Sequence, residues 1–416
     1  MNRATWAWCL YDWANSALPT VVTTFVFAAY FAKAVVGDET EGTFLWGQAT
    51  AASGLLVAVT GPVLGAVADS TGRRKPWIGG FTSVAVLACA GLWFVAPDRG
   101  DIALALGLVI VTTAAFEFAG VFYNAMLPDL VAANRLGRVS GWGWGIGFLG
   151  GLSALALVLV IFVNPVAAPF GLDKGAAEHI RVAMVTTALW FAVFALPLFL
   201  FTGEASGPRQ PLAAAARAGL GDLWHTLRTV RHHPNLLRFL LARMAYADGL
   251  ATLFALGGIY AAGTFAMDFD EIILFAIALN VTAGLGAIAF AWLDDGIGAR
   301  ATIIIALIGL LIAGAVVLTV ETKTWFWAAA LVLGVFIGPV QAASRTFMAR
   351  LAPATQRSQM FGLFALSGKG TTFIGPALVS WLTLASGSQR WGMTVILALW
   401  AVGLVLIAGV RPPPAD

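Results

Sequence analysis

The chain has 416 residues, of which 60% are hydrophobic and only 11% charged. A water-soluble domain carries roughly 25% charged residues, so most of this surface cannot face water, and an assembly of soluble domains is excluded. A net charge of +3, with the basic residues spread along the chain, gives no sign of a nucleic-acid partner.

A helix needs about 20 mostly apolar residues to cross a hydrocarbon core of roughly 30 Å. Apolar runs between polar breaks predict spans at 13–35, 44–68, 76–96, 102–124, 140–163 and 179–202. A second six follow at 236–262, 271–293, 301–320, 325–348, 360–383 and 391–410. The expected class is an all-α membrane protein of twelve transmembrane helices. Met1–Trp8 lacks the form of a cleavable signal, so the first apolar stretch is expected to stay as a span. Sixteen Trp and 28 Phe suit interfacial belts and lipid-facing surfaces. Cys9 and Cys89 stand in apolar settings and read as small core residues, not as a disulfide or metal pair.

The first interspan break is acidic (Asp38-Glu39-Thr40-Glu41) and the second basic (Arg73-Arg74-Lys75). Counting by loop with the N-terminus inside, fourteen of the 24 Lys and Arg fall on the inner side, six on the outer, and four within spans or at their edges. That bias predicts that both termini are cytoplasmic. The longest polar stretch, 203–235, separates a first six-helix bundle (1–202) from a second (236–416). Its middle, about 211–231, has helical spacing. It either lies on the inner membrane face or only joins the two halves.

Two breaks share a pattern. Gly65…Asp69-Ser70-Thr71-Gly72-Arg73-Arg74 follows the second span, and Asp295-Gly296-Ile297-Gly298-Ala299-Arg300 follows the eighth. Both give Asp-x-x-Gly and then Arg, with Asp69 and Asp295 separated by 226 residues. A second pair precedes spans five and eleven: Leu130 to Gly141 and Leu351 to Gly362, offset by 221. Two similar offsets at matching places predict pseudo-symmetric six-helix halves with the solute site between them.

The stretch Gly65…Asp69…Gly72-Arg73-Arg74 resembles the signature of the major facilitator superfamily between its helices two and three. Three further stretches resemble the vacuole-effluxer, autophagy-related branch, which has many bacterial members: Tyr11-Asp12-Trp13-Ala14-Asn15-Ser16; Tyr123-Asn124-Ala125-Met126-Leu127-Pro128-Asp129 with Gly137-Arg138-Val139-Ser140-Gly141; and Gln341-Ala342-Ala343-Ser344-Arg345 with Ser367-Gly368-Lys369. The resemblance covers essentially the whole chain. It implies a secondary transporter working by alternating access, and amino-acid export is favoured through it. A drug or sugar transporter of the same fold, or a receptor or scaffold that no longer transports, are the alternatives. The second signature is degraded, because Ala291 stands where the first has Gly65; that puts a symmetric gate in doubt.

The resemblance also implies that Asp69 docks on the N-terminus of span eleven and holds an inner gate shut, with Asp295 acting likewise at the start of span five. A helix N-terminus carries roughly half a positive charge, which suits a carboxylate. The plain alternative is that Asp69 and Arg73–Lys75 only cap a solvated turn. Charges inside spans are the other signal, since burial of each costs at least ~2.5–3.5 kcal/mol. Lys369, nine residues into span eleven, sits roughly 13 Å deep and is expected to line a cavity. Glu117, between Phe116 and Phe118, is the candidate coupling site, or else a salt-bridge partner of Arg243 or Arg345. Arg243 and Asp248 are five apart on span seven and point about 140° apart, so they are expected to pair with other helices. Asn15 shares a face with Asp12, which is an interfacial anchor or part of the gate. Arg345 either has a role of this kind or snorkels. Gly141, Gly143, Gly145, Gly147, Gly150 and Gly151 open span five and allow close helix approach.

The four histidines lack metal-ligand spacing, and no Gly-Lys-Ser/Thr phosphate loop is present. These features argue against an enzyme and against ATP as the energy source. No cofactor or metal is expected. The expected partners are a small-molecule solute and the lipid bilayer, with the chain acting as a monomer.

Overall fold

The computed structural model describes residues 2–165, 169–204, 212–229 and 234–411, and every regular element among them is helical. In chain order these are α1 (Arg3–Val36), α2 (Glu39–Thr71), α3 (Lys75–Gly91), α4 (Ile102–Leu130), α5 (Leu136–Val158) and α6 (Glu178–Phe201). Then come α7 (Leu212–Thr229), α8 (Pro234–Phe265), α9 (Phe269–Ile297), α10 (Ala299–Thr319) and α11 (Lys323–Leu351). The last are α12 (Arg357–Lys369), α13 (Ile374–Ser386) and α14 (Gln389–Ala408). Among the described residues, eleven helical stretches are long and apolar enough to cross a membrane. The histidines at 232 and 233 lie outside the described residues.

Two spans differ from expectation. The first begins at Arg3 instead of residue 13, capped by Asn2, whose side chain accepts the Thr5 N–H at 2.9 Å. Its early turns carry Trp8 and Tyr11, both fully buried. Polar neighbours such as Arg3 and Asp12 hide this stretch from a search for unbroken apolar runs. Span eleven, expected as one helix over 360–383, is two helices of 13 residues each, α12 and α13, separated by turns at 370–373. Thirteen residues rise only about 20 Å, so neither piece crosses alone. Pro376 supplies a reason for the break: its ring clashes with the carbonyl four residues back, at Thr372, and it disfavours helical geometry at the residue before it. In the first turn of α13 its missing N–H removes no helix bond.

The chain forms two compact units. Unit 1 comprises Met1–Val57, Gly72–Met126 and Ile146–Gly207; unit 2 comprises Ala58–Thr71, Leu127–Gly145 and Pro208–Asp416. Thus 58–71 and 127–145, first-half segments by sequence, group by contact with the second half.

Inside unit 1, Trp8 Nε1 donates to the Tyr123 carbonyl (3.1 Å), and Tyr123 Oη donates back to the Trp8 carbonyl (2.9 Å). The two rings stack at 4.5 Å, and Tyr11 stacks on Tyr123 while hydrogen-bonding Thr82 at 2.6 Å. Helices α3 and α6 are tied at both ends. Lys75 Nζ donates to the carbonyls of Phe199 and Thr202 at the end of α6, and Arg181 Nε to Trp93 just past α3. Unit 2 repeats the device. Arg300 donates to Ile407 and Ala408 at the end of α14, and Arg390 to Leu318 at the end of α10. Cations at helix C-termini satisfy orphan carbonyls and oppose the macrodipole.

Within unit 2, Gly375 lets α13 approach α8, because a Cβ there would fall inside contact distance of Thr252 Oγ1 and Asp248 Oδ1. Gly375→Ala is therefore expected to destabilise by about 1–3 kcal/mol, seen as a lower midpoint in thermal unfolding of the detergent-purified protein. Gly257→Ala, whose methyl meets nothing nearer than Leu253 Cδ1 at 3.8 Å, is expected to leave the midpoint in place.

Candidate functional site

The signature aspartates both sit on helix N-termini inside unit 2. Helix α2 ends at Thr71, and Gly72 turns the chain with φ +67°, a left-handed conformation in which glycine avoids the Cβ penalty. Asp69, one turn before, accepts the backbone N–H of Ser358 at 3.0 Å and of Gln359 at 2.8 Å. These are the second and third residues of α12. In the second half, Asp295 accepts the N–H of Arg138, the third residue of α5, at 3.2 Å and pairs with its side chain at 3.4 Å. The two caps occupy equivalent registers on equivalent helices.

Ion pairs flank both. Arg357 pairs with Asp129, and Arg350 Nη1 lies 3.2 Å from Asp294, which is 2% exposed. Buried Arg345 donates to Ser140 Oγ at 2.9 Å and to the Ser140 carbonyl at 2.7 Å, with Trp144 beside it. It is not a snorkelling residue. Arg300, placed by sequence in the gate motif, instead holds the C-terminus of α14. Arg73 is exposed and Arg74 half-buried; the Arg74 N–H donates to Glu204 at 2.7 Å within unit 1.

The exchange of Gly65 for Ala291 keeps the close approach. A Cβ on Gly65 would strike the Ser358 carbonyl and Gln359 Cα, and one on Gly362 would strike the backbone of Gly61 and Pro62. In the other half the glycines are on α5: a Cβ on Gly137 would strike Asp294, and one on Gly141 the Ala287 carbonyl and Ala291. Position 137 corresponds to 358 at the 221-residue offset. There glycine makes room for the Asp294 side chain, while Ala291 packs on Gly141, the counterpart of Gly362.

The second assembly of charge surrounds the break in span eleven, also within unit 2. Arg243 of α8 donates to the Phe364 carbonyl and to Ser367 Oγ (3.0 Å), with its guanidinium 3.4 Å from the Phe364 ring centroid. Asp248, 2% exposed, accepts the Gly375 N–H through both oxygens at 3.2 and 3.1 Å. The cation thus sits at the C-terminal end of α12 and the anion at the N-terminus of α13, each on the favourable pole of a helix dipole. Gly368 makes room, since a Cβ there would collide with the Arg243 guanidinium. Lys369, half-buried, is the last residue of α12. Glu117, half-buried on α4, and Asn15, 8% exposed on α1, belong to unit 1. The structure therefore gathers Arg243, Asp248 and Lys369 at one break and places Glu117 and Asn15 in the other unit.

The family model described as vacuole effluxer Atg22-like matches residues 47–136 and 133–412. The chain belongs to the Atg22-like family of vacuole effluxers. Within this family it is 26% identical over 411 residues to the MFS-type transporter YxiO of Bacillus subtilis, with 97% of this chain and 94% of that one covered. It is 26% identical over 294 residues to autophagy-related protein 22 of Cryptococcus neoformans, covering 66% of this chain and 50% of the relative. The chain spans about half the length of the autophagy-related proteins it matches. A solved structure of the proton:xylose symporter XylE superposes with a TM-score of 0.74 at 13% identity, covering 98% and 95% of the two chains. That likeness shows the fold, two six-helix halves of a major facilitator. This Atg22-like chain is a multi-pass membrane transporter of that superfamily.

Removing the Asp69 carboxylate frees two N–H groups, and loss of such a cap costs ~1 kcal/mol. In Asp69→Ala, hydrogen exchange of the Ser358 and Gln359 amides, read by mass spectrometry, is expected to accelerate about five- to tenfold. Asp295→Ala is expected to act on Gly137 and Arg138 and to leave 358–359 unchanged.

Proposed function

We propose that this transporter moves a small solute across the bacterial inner membrane by alternating access, with both termini in the cytoplasm and a solute or proton gradient as driving force. The observation that carries the reading is the pair of caps, Asp69 on α12 and Asp295 on α5. Each joins a first-half segment to a second-half helix, and each consists of hydrogen bonds that water can replace when released. They act in this reading as the inner gate, with Gly65, Gly72, Arg73 and Arg74 shaping the turn. The excess of Lys and Arg in the loops of that side supports its placement in the cytoplasm.

The solute is proposed to be an amino acid or similar metabolite, carried outward. The support for this is the family description as effluxers. Lys369 is the proposed contact for a solute carboxylate, at a break where small and hydroxyl residues (Gly368, Gly370, Thr371, Thr372) follow one another. Discontinuous membrane helices are where transporter folds place their ligands. Arg243 and Asp248 act by holding the two halves of that helix. Glu117 is the proposed proton-coupling carboxylate, and Asn15 a polar lining residue of unit 1.

A thermal-shift screen of the purified protein against amino acids, sugars and organic ions, followed by counterflow of any hit in proteoliposomes, tests this reading. The expected result is stabilisation by an amino acid and accelerated exchange, with exchange falling at least about tenfold in Lys369→Ala and Glu117→Gln; a contact worth ~1.4 kcal/mol gives that factor. Stabilisation by sugars alone would replace the solute class. Binding without exchange would replace transport by reception. Undiminished exchange in Asp69→Ala at equal protein density would remove the gate.

A further inference from the structure

Helix α7 has two unlike faces. Gly219 lies against α2, where a Cβ would collide with the backbone of Ala66 and Val67, three and two residues before Asp69. Leu223, one turn on, is 6% exposed. About 120° around the helix, Arg217, Leu220, Trp224 and Arg228 are all exposed. At 3.6 residues per turn, these four fall within about 80° of arc. The side chains of Leu220 and Trp224 are the exposed apolar pair, at 51% and 58%. The Arg228 guanidinium lies 4.7 Å from the Trp224 ring centroid.

A solvated linker gains nothing from a Leu–Trp pair held between two arginines. An interfacial helix does, because Trp suits the headgroup level and Arg reaches lipid phosphates. The helix also joins α6 to α8, both long enough to span, so it starts and ends beside one leaflet. In sequence, 205–235 carries Arg209, Arg217, Arg228 and Arg231 against the single acid Asp222, which complements an anionic surface and not a cationic one.

We propose that α7 is an anionic-lipid binding element: Leu220 and Trp224 enter the acyl boundary, Arg217 and Arg228 engage phosphodiester headgroups, and the Gly219 seat passes this contact to the Asp69 turn. The partner is the headgroup layer of the leaflet on that side. Lipid charge then biases the Asp69 cap on α12, since the helix that binds lipid and the helix that carries Asp69 are packed together without an intervening side chain.

The test uses the full chain with a nitroxide at Leu220→Cys or Ala218→Cys. Ala218 is exposed and points about 120° from the stripe, and both native cysteines are buried. The protein is reconstituted in phosphatidylcholine vesicles with or without about 30% phosphatidylglycerol, enough to give a strongly negative surface. With phosphatidylglycerol, the label at 220 is expected to collide with oxygen in preference to an aqueous nickel chelate, and the label at 218 the reverse. In Arg217→Gln/Arg228→Gln the preference at 220 is expected to revert towards that in phosphatidylcholine alone, with lipid partitioning reduced about fivefold per arginine. Nickel-accessible label at 220 in both lipids would overturn the proposal. So would spin–spin broadening at 220 that disappears on dilution, because a second copy would then be the occupant. For the link to the gate, exchange of the Ser358 and Gln359 amides is expected to slow severalfold with phosphatidylglycerol, and Gly219→Leu, which forces the seat apart, to abolish the difference. Identical exchange in the two lipids would overturn the link.

Discussion

A helix end leaves up to four N–H or C=O groups without partners, and near or inside a bilayer water cannot always supply them. This constraint accounts for a good part of the scarce charge among the described residues. Asp69, Asp248 and Asp295 accept at helix N-termini, and Glu204 accepts the N–H groups of Arg74 and Lys75 where α3 begins. Lys75, Arg181, Arg243, Arg300 and Arg390 donate to carbonyls at or near C-terminal ends. Every one of these signs agrees with the pole of the dipole it faces. A charge so used is held by two interactions at once, a hydrogen bond and a dipole, which offsets part of its desolvation.

The repeat follows from the same rule. Lys75 and Arg300 lie 225 residues apart in sequence and perform one task, each closing the end of the last span of its own half. Asp69 and Asp295 lie 226 apart and perform another. Function at these positions is thus conserved between halves at the level of which backbone groups need a partner, while the packing around them drifts. The exchange of Gly65 for Ala291 and of Ser358 for Gly137 is such a drift: Gly137 makes room for Asp294, and Gly141 for Ala291.

Much of this was legible in the sequence. Apolar run length located the spans because the bilayer imposes it, and the offset signatures located Asp69 and Asp295 because a cap needs a carboxylate at a fixed distance from a turn. The remainder was not legible because it depends on partners far apart in sequence. Arg345 and Ser140 are 205 residues apart, and no local pattern distinguishes a buried, hydrogen-bonded arginine from a snorkelling one. The start of α1 was missed because Trp8 and Tyr11 are buried against protein, where polar neighbours are tolerated. The break in span eleven did leave local marks, Gly370 and Pro376, but prolines also sit inside unbroken helices here, as Pro62, Pro197 and Pro339 do. Deciding between kink and break requires knowing that Asp248 and Arg243 stand ready to satisfy the freed ends.

The strength of these caps bears on the transport cycle proposed above. A gate must hold one state and still yield to a ligand whose differential affinity is at most a few kcal/mol; moving a two-state equilibrium from 1:99 to 99:1 takes about 5.5 kcal/mol. Two aspartate caps at ~1 kcal/mol each, with the Arg357–Asp129 pair joining the same two halves, fall inside that range. A gate built on a buried aromatic lock, such as the Trp8–Tyr123–Tyr11 stack of unit 1, would bury far more area and resist opening. Where first-half segments meet second-half helices, unit 2 carries hydrogen-bonded caps over glycine-lined contacts beside the edge-to-face Trp142–Trp292 pair. In the proposed cycle the caps are the contacts made and broken at every turnover, while the Trp8–Tyr123–Tyr11 stack of unit 1 persists.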